Sequence, residues 1–137
     1  MTPTIQQVAR TIDEMVANTP SNDPFSMEAT LYGCDEDGAY ILASGDNPYD
    51  VLADTPKPSK ITAMAFVVTG WASPTSENET VRPSEHPERI RVRLVTAVGY
   101  DGFATVMRRA DQPNEVEDMG DEGTGALRDA LEEWWGR

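Results

Sequence analysis

The sequence predicts an α+β domain: an antiparallel sheet of about five strands with an amphipathic helix from each end of the chain packed on it. Three observations predict this. Apolar residues recur at helical spacing near both ends, two Asp-Gly steps separate β-prone runs, and residues 60–71 are apolar on both alternating faces. A chain of 137 residues fits one hydrophobic core, so a single domain over 1–137 is expected.

The first helix is expected over 3–18. Thr2 is placed to cap it, Pro3 suits the first helical position, and Ile5, Val8, Ala9, Ile12, Met15 and Val16 form an apolar stripe. Asn18, Thr19 and Pro20 end it, and 21–26, with its Asp-Pro step, reads as loop. Two short β-prone runs, 27–34 and 39–44, flank Asp35-Glu36-Asp37-Gly38, where Gly38 tolerates the positive φ of a tight hairpin turn. Residues 45–59 are polar and carry Pro48, Pro56 and Pro58, which predicts a connection with one helical turn near 49–53.

In 60–71, Ile61, Ala63, Ala65 and Val67 share one face, and Met64, Phe66 and Val68 the other. A strand apolar on both faces belongs in the middle of a sheet covered on both sides. Residues 73–88 form a long polar excursion with three prolines, Pro74, Pro83 and Pro87. The second hairpin spans 89–110 about Asp101-Gly102, and the acidic stretch 111–123 reads as turn-rich loop. A short last helix runs over 125–135, with Thr124 as its cap and Leu127, Leu131 and Trp134 as its stripe.

Net charge is −13, from 24 acidic and 11 basic residues, which disfavours direct nucleic-acid contact and anionic membrane surfaces. The first residues lack the basic and apolar regions of a signal peptide, and no apolar run reaches the ~20 residues of a membrane span. A cytoplasmic location is the resulting expectation, and the single cysteine, Cys34, agrees with it.

The sharpest constellation is an arginine row. With Asp101 and Gly102 as the two turn residues, Val95 faces Arg108, and Arg89, Arg91, Arg93 and Arg108 share one sheet face. Like charges this close call for something negative above them. That is either the chain's own carboxylates, from loops or the 115–122 run, or a phosphorylated or carboxylated ligand or acidic partner. Trp134 and Trp135 differ by about 100° around the helix, so one is expected in the core and the other is a candidate interface residue.

No catalytic set emerges. His86 is the only histidine and sits between prolines and carboxylates, while three acids beside Cys34 oppose thiolate formation. One histidine and one cysteine make no zinc site, Ser44 stands where a calcium loop needs a carboxylate, and Gly120, Gly123 and Gly125 lack the phosphate-loop spacing. No metal or cofactor is expected.

The segments Thr69-Gly70-Trp71-Ala72-Ser73-Pro74 and Pro83-Ser84-Glu85-His86-Pro87-Glu88-Arg89, with the arginine-alternating strand, resemble uncharacterised proteins of actinobacterial type. Nine Arg against two Lys suit a GC-rich genome, and the resemblance implies no activity. The leading functional expectation is a non-enzymatic binding protein whose partner is another protein or a second copy in a homodimer. One alternative is a small enzyme built from Arg93, Arg108, His86 and loop carboxylates. Another is an acidic mimic of nucleic acid.

Overall fold

A computed structural model of the chain describes residues 4–18, 28–35, 37–58, 60–72, 90–100, 102–120 and 126–136. Arg89, His86, Thr124, the loop at 21–26 and the excursion at 73–88 lie outside the described residues. The order is α1 (Ile5–Ala17), β1 (Ala29–Asp35), β2 (Gly38–Gly45), α2 (Pro48–Asp54), β3 (Ala63–Ala72), β4 (Ile90–Gly99), β5 (Gly102–Arg109), β6 (Gln112–Gly120) and α3 (Ala126–Trp135).

The six strands form one antiparallel sheet in the order β2-β1-β3-β4-β5-β6. Both β2 and β3 run antiparallel to β1, so their connection must return along the sheet, and α2 lies in it. The α+β expectation holds, with six strands rather than five. The additional strand is β6, where the acidic stretch read as loop pairs with β5. Val116 packs on the core between exposed Glu115 and Glu117, a strand-like alternation on a sheet edge, where Pro113 is tolerated.

β3 is central, as its two apolar faces require. Ala63, Ala65 and Val67 pack with Ala9, Ile12 and Val16 of α1, while Met64 and Phe66 pack with Leu52 of α2 and with Leu131 and Trp134 of α3. Ile61 departs from the expected face. It precedes the first strand residue, Ala63, and joins the α2/α3 side.

The α1 cap is Thr4, not Thr2. Gln7 N donates to Thr4 Oγ1 at 3.2 Å and Thr4 N to Gln7 Oε1 at 2.8 Å, a reciprocal capping box that satisfies two end donors. α2 is capped by Asn47, whose Oδ1 accepts from Tyr49 N at 2.9 Å, and Pro48 opens the helix without losing a needed donor.

The second hairpin closes one residue earlier than expected, and in the first both strands run into the segment read as the turn. Asp35 pairs with Gly38 and Gly99 with Gly102, so each glycine is the first residue of its outgoing strand. Gly38 and Gly102 have φ of 134° and 118°, which explains why glycine follows aspartate at both places.

Candidate functional site

The register of the second hairpin decides the arginine row. Arg93 pairs directly with Arg108, where the sequence placed Val95 opposite Arg108. Because the pairing moves by two positions in total, every side chain keeps its face. Arg93 and Arg108 therefore remain together, on the side that α1 covers.

Above them lies Asp13 of α1. Arg93 Nη2 and Nε donate to Asp13 Oδ1 at 2.8 and 3.1 Å, and Arg108 Nη2 and Nε donate to Oδ2 at 2.6 and 2.9 Å. Arg93 Nη2 also reaches the Asp13 carbonyl oxygen at 3.3 Å. Each guanidinium edge thus grips one oxygen of a shared carboxylate. Arg93 is 0% exposed and Asp13 1%, so this is an interior ionic cluster. No buried side-chain nitrogen or oxygen among the described residues lacks a hydrogen-bond partner. That agrees with what burial of charge requires.

One counter-charge comes from a place the sequence did not suggest. It is a helix residue 80 positions before Arg93 and 95 before Arg108. One signal was present: Asp13 lies four residues after Ala9 and three before Val16, inside the apolar stripe of α1. A carboxylate on a buried stripe must meet a buried partner.

Arg91 shares the same face, is half-buried, and has Nη2 3.4 Å from Thr69 Oγ1. The structure therefore brings Arg93 and Arg108 together around Asp13 and places Arg91 towards Thr69.

Of the two tryptophans, Trp134 belongs to the core rather than to a surface. It is fully buried, and its indole Nε1 donates to the Thr55 carbonyl at 2.8 Å, which satisfies its one polar atom. Trp135 is half-buried at a corner of the molecule. Its ring meets Tyr100 edge to face at a centroid distance of 5.3 Å, and Lys57 Nζ lies 4.3 Å from its ring centroid. Lys57 also donates to the Trp135 carbonyl, placing a cation at the negative end of α3. Tyr100, at the β4–β5 turn, is 80% exposed.

Cys34 is buried and unpaired. Burial, and secondarily the neighbouring Asp35 carboxylate, push its thiol up to about 11, so it stays protonated at neutral pH. Among the described residues no three His, Cys, Asp or Glu side chains group to hold a metal ion, and no helix is long and apolar enough to cross a membrane.

The chain matches no protein-family model, no curated protein and no solved structure.

Proposed function

We propose that this chain is a non-enzymatic binding protein that docks a protein partner at the corner formed by Tyr100, Trp135 and Lys57. The observation that carries this reading is Tyr100. Its ring is four-fifths exposed, and its edge-to-face contact with Trp135 favours one orientation. Restricting an aromatic ring before binding lowers the entropy cost of docking there, and Tyr, Trp and Arg dominate the energetics of protein interfaces.

The arginine face supports the same conclusion by subtraction. An anion held by Arg93 and Arg108 would have to displace Asp13 from two charge-assisted contacts, at least one of them on a guanidinium with no exposure. An enzyme built on those arginines faces the same obstacle. The protonated Cys34 thiol offers no nucleophile in their place.

The test is affinity capture with the wild-type protein, identification of the partner, and calorimetry on the purified pair. Tyr100→Ala should weaken binding by a factor of about 30 or more, the cost of a hot-spot side chain. Unchanged affinity for Tyr100→Ala would sink the corner as the docking site. A phosphorylated or carboxylated small molecule that raises Tm through Arg93 would return the arginine face to consideration.

A further inference from the structure

The sheet has two edges of opposite chemistry. β6 carries exposed Glu115 and Glu117, which repel a further strand. β2, Gly-Ala-Tyr-Ile-Leu-Ala-Ser-Gly, has no charged residue and, among the described residues, pairs only with β1. Among the described residues its outward backbone groups have no strand partner, and two of its large apolar side chains are open: Ile41 is 62% exposed and Tyr40 40%. Among the described residues the one feature of this edge that discourages strand addition is a bulge, where the register shifts between Leu31 and Tyr32 and Leu42 becomes the extra residue.

We infer that β2 pairs antiparallel with β2 of a second copy, about a two-fold axis at Tyr40, to make a continuous twelve-stranded sheet. Symmetry restricts the register. A two-fold relating antiparallel strands of one sheet is perpendicular to it, so opposite residues must lie on the same face, and the axis must pass between a residue and its own copy. At Tyr40 that axis sets Tyr40 against Tyr40 on the α2/α3 face. On the α1 face it sets Ile41 against the small Ala39, twice over.

Two further observations favour this arrangement. First, each exposed apolar side chain meets an apolar side chain of the copy, with the large Ile41 facing the small Ala39. Second, β2 itself carries no carboxylate, so none faces another along the paired strands. The bulge then turns the far half of β2 aside without touching the central pairs. This interface is separate from the Tyr100 corner, which lies at the β4–β5 turn with β1 and β3 between β4 and β2, so either can fail alone.

Sedimentation across about a hundredfold range of concentration should show a monomer–dimer equilibrium that Ile41→Lys weakens at least tenfold and Tyr100→Ala leaves unchanged. Directly opposed residues have Cα atoms about 4.5–5.5 Å apart, within disulfide reach, whereas residues two positions off register lie about 7–8 Å apart. In a Cys34→Ala background, Tyr40→Cys should therefore form a covalent dimer on mild oxidation far faster than Ile41→Cys. A wild-type protein that stays monomeric throughout overturns the proposal. So does a dimer indifferent to Ile41→Lys, or one that Ile41→Cys locks as readily as Tyr40→Cys. Circular dichroism on each variant separates these results from misfolding, which exposed positions on an edge strand should not cause.

Discussion

The two oxygens of Asp13 are divided between arginines from neighbouring strands: Oδ1 lies 2.8 Å from Arg93 Nη2 and Oδ2 lies 2.6 Å from Arg108 Nη2. One carboxylate thereby pins α1 to β4 and β5 at a single point. Removing the charge while keeping the shape leaves two arginines facing each other in the interior. Asp13→Asn should cost about 3–5 kcal/mol, the range for breaking a buried ionic cluster from one side. At this size that is a fall in Tm of roughly 10–20 °C, measured by calorimetry. Replacing the three together with Leu, Met and Met should recover most of the loss, because no uncompensated charge then remains.

The strand alternation that gathered the arginines was legible in the sequence, because side-chain faces depend only on period two. The exact register was not. Turn geometry fixes it, and an Asp-Gly step is compatible with glycine as the second turn residue or as the first residue of the next strand. Asp13 was visible as a carboxylate inside the α1 stripe, but its partners lie 80 and 95 residues away, and no local pattern reports such a distance. β6 was missed because an edge strand need only bury one face, and Val116 alone is too short a signal among acids and a proline.

The two tryptophans should respond very differently to truncation. Trp134→Ala empties a fully buried site and strands the Thr55 carbonyl, so a loss of about 3–5 kcal/mol is expected in denaturant unfolding. Trp135→Ala removes a half-buried ring and its contacts with Tyr100 and Lys57, and should cost about 1 kcal/mol.

Cys34 should be silent to a thiol reagent at neutral pH in the folded protein and react at once in denaturant. The raised value also predicts a sign. Between the ordinary 9.0 and the folded value of about 11, the unfolded chain has released the thiol proton and the folded chain has kept it. Stability from this group is therefore complete below pH 9.0 and is lost as pH rises towards 11. Unfolding free energies followed through that window should fall more steeply for the wild type than for Cys34→Ala.

Glycine is required at some positions and dispensable at others. Gly38 and Gly102 adopt φ of 134° and 118°, so alanine at either should destabilise by about 1–2 kcal/mol. Gly70, within β3, has no positive φ, and a Cβ there would meet nothing within 4 Å. Gly70→Ala should be neutral or slightly stabilising, through the lower entropy of the unfolded chain. Chemical denaturation of the three variants provides the comparison.

The paired arginines are anchored in the interior by Asp13, whose one carboxylate offsets one of their two positive charges. The most direct measurement is the melting temperature of wild type and Asp13→Ala in formate and in chloride at equal ionic strength. Formate is small enough to stand where the Asp13 carboxylate was. Asp13→Ala should melt far below wild type and regain stability in formate, while the wild-type protein should melt alike in both salts. A wild type that gains as much from formate as the variant does, or an Asp13→Ala that melts with wild type, would contradict the account.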